Sequence, residues 1–157
     1  MTPDRTVTVY FDGLCERDPE TGLANPGGIA CGGWWIPAVS VPGLEQGASG
    51  RRCYGRGAGM TNNVAEYEAC LDGLRAVYTC AWRGAVIVRG DSQLVIKQAS
   101  GEWGCGKPEL AALLARVHTA TGYFSTVTFT WIKREDNKRA DVLSRAAYRD
   151  ALRALRD

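Results

Sequence analysis

The sequence predicts an α/β fold: a five-stranded mixed sheet, three antiparallel strands followed by two parallel ones, flanked by helices. Two observations carry this. Apolar residues alternate with polar ones in the first third of the chain, and beyond residue 61 they recur at spacings of three and four, interrupted by two short strand-like runs. Element order does the rest, because strands joined by turns pair as a meander, whereas strands separated by helices cross over in parallel.

From Arg5 to Asp12, Val7, Val9 and Phe11 alternate with Thr8, Tyr10 and Asp12, the period of a strand with one face in the core. Turn formers follow at Asp18-Pro19-Glu20-Thr21-Gly22 and Asn25-Pro26-Gly27-Gly28, and a second strand is expected at Ile29 to Ile36. Pro37 to Gly50 reads as turns and Arg51 to Arg56 as a third strand. Helix spacing then takes over: Asn62 or Asn63 can cap, and Val64, Tyr67, Leu71, Leu74 and Tyr78 form one stripe, with the helix running to about Ala81. Ala85 to Arg89 is a short buried strand. Ser92 to Ala99 is helical, Gly101 to Pro108 is a glycine-broken loop, and a further helix spans Glu109 to Gly122. Val127, Phe129 and Trp131 alternate with threonines in a fifth strand ending near Ile132, and Lys138 to about Leu155 closes the order as a helix.

Composition narrows the function classes. A chain of 157 residues fits one core, so residues 1–157 are expected to form a single domain. The hydrophobic share of 45% is ordinary for a globular protein, and no stretch nears the ~20 apolar residues of a membrane span. Met1 to Arg5 leads directly into a strand without a secretion-type segment, so the expected location is the cytoplasm. The six cysteines lie far apart in sequence and match no zinc or redox spacing, so they read as mostly packed thiols. The single His118 excludes sites built from several imidazoles and falls on a helix stripe. A net charge of +2 does not by itself point to nucleic acid; Arg51-Arg52 with Arg56, and Lys133-Arg134 with Lys138-Arg139, are the basic clusters.

Four carboxylates stand where solvation is a poor explanation. Asp12 lies inside Val-Tyr-Phe-Asp-Gly, Asp91 ends Val-Ile-Val-Arg-Gly-Asp-Ser, Glu66 is near the start of the long helix, and Asp141 near the start of the last. Glu66 shares a stripe with Cys70, Gly73 and Val77, which turns it toward packed surroundings. Each also has a structural alternative: first-turn positions suit Glu66 and Asp141, Asp91 can cap the following helix, and Asp12 can belong to a turn with Gly13. Carboxylates gathered in one cleft repel each other and take up protons unless a divalent cation intervenes, and oxygen-only ligation suits Mg²⁺ or Mn²⁺.

Five stretches together resemble one family. Tyr-Phe-Asp-Gly at 10–13, Asn-Pro-Gly-Gly at 25–28, Thr-Asn-Asn-x-x-Glu at 61–66, Gly-Asp-Ser-Gln at 90–93 and Asn-x-x-Ala-Asp at 137–141 match the type 1 ribonucleases H in order and spacing. The resemblance implies a ribonuclease H-like fold and a two-metal endonuclease that cuts the RNA strand of an RNA–DNA hybrid, leaving 3′-hydroxyl and 5′-phosphate ends. Asp12, Glu66, Asp91 and Asp141 would be the catalytic, metal-binding quartet for two Mg²⁺ or Mn²⁺ ions, with Asp12 and Asp91 between them. Gly13, Thr61, Asn62, Asn63 and Gln93 would contact the duplex, Thr61 at a DNA phosphate and the amides in the minor groove, where the 2′-hydroxyl separates RNA from DNA.

Two departures qualify the resemblance. Many relatives carry a histidine in the loop before the final aspartate; here that loop is Lys133-Arg134-Glu135-Asp136, leaving Arg134 or Glu135 to replace it. The basic protrusion of bacterial relatives corresponds to Gly101–Pro108, with Lys107 alone, so Arg51, Arg52, Lys97 and Trp103 are the candidates for gripping the duplex. Of the rival readings, a junction resolvase fits the amide set poorly, a binding module with a dead site conflicts with four intact carboxylates, and side activity on double-stranded RNA stays open. Met1 and the length favour a free-standing enzyme, expected as a monomer, over a domain of a reverse transcriptase.

Overall fold

The computed structural model describes residues 5–157. Met1 to Asp4, on which the reading of the N-terminus partly rests, lie outside the described residues. The strands are β1 (Thr6–Glu16), β2 (Ile29–Ile36), β3 (Ala48–Arg56), β4 (Ala85–Gly90) and β5 (Thr126–Trp131), and the helices are α1 (Asn62–Thr79), α2 (Gln93–Ala99), α3 (Pro108–Thr121) and α4 (Lys138–Arg156). One five-stranded sheet has the order β3-β2-β1-β4-β5. β1 pairs antiparallel with β2 and β2 with β3, while β4 runs parallel to both β1 and β5. This is the expected mixed sheet.

Helix α1 packs on one face of the sheet, against β1 and β2, and α3 leans on α1; α4 packs on the other face, over β1, β2 and β3. The main core lies under α1, where Val7, Val9, Phe11, Val86 and Val88 meet Tyr67, Leu71, Leu74 and Val77. Burying such side chains contributes roughly 1.5–3 kcal/mol each and is the main force holding α1 to the sheet. A smaller cluster on the other face joins Ile29 and Cys31 to Ala147 of α4. No described helix is long and apolar enough to cross a membrane.

Strand and helix ends differ from the sequence reading in ways that have physical causes. β1 runs four residues beyond Asp12 because Gly13 to Glu16 continue to pair with Ile29 to Gly32. β3 begins at Ala48 rather than Arg51, since Ala48, Ser49 and Gly50 pair with Ile36, Trp35 and Trp34. The cap of α1 is Thr61, whose Oγ1 accepts the Val64 N–H at 3.1 Å, rather than Asn62 or Asn63.

Close backbone approach sets how α4 sits. A Cβ at Gly33 would lie 2.5 Å from Leu143 Cβ and 2.8 Å from Ser144 N, so only glycine lets α4 reach β2 here. Gly33→Ala is therefore expected to lower stability by roughly 1–3 kcal/mol, measurable by urea unfolding. Unchanged stability would mean that α4 shifts freely.

Candidate active site

The carboxylates converge at the C-terminal ends of the parallel pair β1 and β4. Asp12 lies on β1 opposite Gly33, and the register Phe11 to Gly90 sets Asp91, the residue after β4, beside it. Glu66 comes from α1 and Asp141 from the first turn of α4. One oxygen from each of Asp12, Glu66 and Asp91 falls within 4.8 Å of the others. Asp141 lines the same cleft, of about 490 Å³, with both its oxygens held by Arg145 Nε at 3.2 and 3.1 Å.

The structural alternatives fall away for three of these four acids. Ser92, not Asp91, caps α2 through the Val95 N–H. Glu66 is the fifth residue of α1, which has no acidic residue in its first turn, so the first-turn explanation does not apply to it. Asp12 is paired strand, not turn. Only Asp141 keeps its first-turn position.

Burial makes the cluster electrostatically costly. Asp12 and Glu66 are 6% and 8% exposed. Burial, reinforced by the negative charges of Asp91 and Asp141 and opposed by the Ser144 hydroxyl, pushes Asp12 up to about 7. Burial and the charge of Asp12 raise Glu66 well above the usual carboxylate range, and burial also raises Asp91, with Arg134 pulling the other way. Glu66 Oε1 accepts the Gly13 N–H at 3.0 Å, but its Oε2 is buried with no partner. An unpartnered, inward oxygen beside two further carboxylates fits a divalent cation, whose charge would offset the repulsion and leave all donors as oxygen.

That fit has a measurable consequence with a definite sign. Asp12 at about 7 in the folded protein lies above its ordinary 3.8, so between these values the folded chain holds a proton that the unfolded chain has released. Its contribution to stability is full below about pH 4 and is lost as pH rises through about 7. A divalent cation is therefore expected to raise Tm more at about pH 8, where it relieves this cost, than at about pH 5, where protons compete for the same oxygens. A metal-induced shift equal at both values would count against binding by these carboxylates.

The remaining predicted residues divide. Gly13, Asn62, Asn63 and Arg134 line the cleft. Asn62 is also structural, accepting the Cys15 N–H at 2.8 Å through Oδ1 while its own N–H donates to Asn25 Oδ1. Thr61 caps α1 next to the cleft, Gln93 is the exposed first residue of α2, and Glu135 is exposed in the 3-10 turn Arg134–Asp136; none of the three is among the cleft-lining residues. The basic side chains proposed to grip the duplex are engaged: Arg51 with Asp150, Arg52 with Asp72 and Lys97 with Glu102, while Trp103 is exposed. His118 is an exposed residue of α3 with Nε2 3.1 Å from the Ala99 carbonyl oxygen, away from the cleft.

Four further residues belong to the site. Ser144 donates to Asp12 Oδ2 at 2.7 Å, Arg145 holds Asp141, Glu16 lines the rim, and the indole N–H of Trp131 donates to the Asp91 carbonyl at 3.1 Å. Positions three and four beyond Asp141 on one helix are the signal that points to Ser144 and Arg145. Trp131 continues the apolar alternation of Val127 and Phe129, yet it stands at the strand end and is 40% exposed over the cleft.

The chain is similar in sequence and in fold to known proteins. The family model described as "Reverse transcriptase-like" matches residues 48–147. Ribonuclease HI of Halobacterium salinarum is 35% identical over 96% of this chain, which spans 69% of that protein; the bifunctional protein Rv2228c of Mycobacterium tuberculosis is 36% identical over 90%, spanning 35% of it. Among solved structures, RNase H1 of Halobacterium salinarum superposes with a TM-score of 0.77 at 32% identity, covering 93% of this chain and 99% of that one. LC11-RNase H1, solved in complex with an RNA/DNA hybrid, superposes with a TM-score of 0.73 at 27% identity, covering 93% and 99%. The fold, the clustered carboxylates and these likenesses lead to one conclusion: the chain belongs to the ribonuclease H1 family.

Proposed function

We propose that the protein hydrolyses the RNA strand of RNA–DNA hybrids as an endonuclease, with two Mg²⁺ or Mn²⁺ ions held by Asp12, Glu66, Asp91 and Asp141, leaving 3′-hydroxyl and 5′-phosphate ends. The observation that carries this reading is the meeting of three buried or half-buried carboxylates within 4.8 Å, with Glu66 Oε2 unpartnered. Bound there, divalent ions supply an activated water and neutralise charge on the departing oxygen of a phosphodiester. The chain's own residues do the positioning. Ser144 orients Asp12, and the Gly13 N–H orients Glu66.

Substrate choice rests on the amides. Asn62 and Asn63 open onto the cleft, where Gly13 also lies, and offer donors and acceptors to a minor groove; Thr61 at the α1 cap and Gln93 at the start of α2 are the outlying candidates for contact with the duplex. Arg134, rather than the outlying Glu135, is the residue that would take over from the missing loop histidine, because it lines the cleft and its positive charge bears on Asp91. LC11-RNase H1, a neighbour of the same fold solved with an RNA/DNA hybrid, supports the choice of a hybrid as substrate.

The test presents one labelled RNA strand alone, paired with RNA and paired with DNA, with Mg²⁺, Mn²⁺ or chelator. Cleavage confined to the hybrid, dependent on metal and ending in 5′-phosphate is the expected result. Equal cutting of all three RNAs would refute the substrate, and cutting in chelator would refute the metal.

A further inference from the structure

Away from the carboxylates, at the sheet edge formed by β3, two cysteines that are distant in sequence stand opposite each other. Cys31 of β2 pairs in register with Cys53 of β3, and a bulge just before Cys31 leaves Tyr54 as the extra residue. Both thiols belong to the α4 face. Cys31 is fully buried against Ala147 of α4. Arg51, two residues before Cys53, reaches Asp150 of α4 at 3.0 Å, whereas Arg52 and Tyr54 turn the other way to Asp72 of α1. Residues directly opposite in an antiparallel pair have Cα atoms about 4.5–5.5 Å apart, within the roughly 4.4–6.8 Å that a disulfide spans. Cys53 is exposed; Cys15 and Cys70 are buried, and Cys80 and Cys105 half-buried.

We propose that Cys31 and Cys53 form a reversible dithiol–disulfide pair, in which Cys53 reacts with a small-molecule disulfide and Cys31 resolves the adduct. The Cys53 thiolate attacks one sulfur of the small disulfide, whose S–S bond breaks to release one thiol. Cys31 sulfur then attacks Cys53 sulfur from within the sheet, breaking the mixed disulfide, and the proton of Cys31 ends on the departing sulfur, which leaves as the second thiol. Two protein thiols are oxidised and one disulfide is reduced to two thiols, so no other oxidant is required. The environment favours this order: Cys31 as hydrogen-bond partner, against the effect of burial and with Arg56 adding positive charge, brings Cys53 down to about 6, while Cys31 is raised. The bond would tie the edge strand to the sheet beneath α4 and close the loop between residues 31 and 53, which constrains the unfolded chain.

The full chain, incubated with glutathione disulfide, quenched with acid, alkylated and digested, decides the matter. The expected product is a cross-linked Cys31–Cys53 peptide, with the mass of two hydrogen atoms lost, two fewer alkylatable thiols and a higher Tm, all reversed by dithiothreitol. Cys53→Ser, folded as judged by circular dichroism, should yield no cross-link. A wild-type protein that keeps glutathione on Cys53 without resolving it, or in which all six cysteines remain alkylatable, would overturn the proposal.

Discussion

Asp12→Asn is expected to abolish cleavage while making the metal-free protein more stable. Removing a carboxylate that holds the ions forfeits several kcal/mol of charge stabilisation in the transition state, and at 1.36 kcal/mol per tenfold this is a loss on the order of 10³-fold or more in kcat. Stability moves the other way. Asp12 is buried beside Glu66 and Asp91, and its rise from 3.8 to about 7 measures how poorly the folded protein accommodates its charge at neutral pH. An amide keeps an acceptor for the Ser144 hydroxyl and adds donors facing two carboxylates, so urea unfolding at about pH 8 in chelator should show a gain of about 1–3 kcal/mol. A variant that is inactive and also less stable would mean that Asp12 is a structural residue.

Gly13→Ala should damage fold and site together. A Cβ at Gly13 would sit 2.4 Å from both Ala65 C and Glu66 N and 2.5 Å from Ala65 O, all backbone atoms of α1 that cannot rotate aside. The strand and helix must separate to admit the methyl group. Such overpacking costs roughly 1–3 kcal/mol or more, and it pulls away the Gly13 N–H that orients Glu66 Oε1. Misplacing a metal-holding carboxylate by about 1 Å costs on the order of 10²-fold in rate. Hybrid cleavage and urea unfolding of the same preparation read both effects. A Gly13→Ala protein of normal stability and rate would contradict the close approach of β1 to α1.

Much of this arrangement is legible in the sequence because it rests on periodicity. Val7, Val9 and Phe11 face the core as their alternation requires, and Glu66 shares the buried side of α1 with Cys70, Gly73 and Val77. What the sequence does not reveal are features that depend on pairing between distant segments. β1 extends through Glu16 only because β2 lies beside it, and Thr61 displaces the asparagines as cap because Asn62 is drawn to the Cys15 backbone and its own N–H to Asn25. The ion pairs of Arg51, Arg52 and Arg56 join residues 99, 20 and 38 positions apart, which no local pattern encodes. Cys31 and Cys53 likewise match no motif spacing, and only the register of β2 with β3 brings them together. At the site, the carboxylates were legible because acids at element ends inside apolar runs are out of place, whereas Trp131 was not, because its spacing is that of a core residue.

Anomalous scattering from crystals of the wild-type protein grown with Mn²⁺, together with the structure of the inactive Asp12→Asn protein bound to an RNA–DNA hybrid, addresses the central claim most directly. Wild-type crystals should show manganese among Asp12, Glu66 and Asp91, with Glu66 Oε2 as a ligand, and the hybrid complex should place an RNA phosphate over the same oxygens. Manganese absent from that cleft, with the carboxylate oxygens dispersed, would contradict the account.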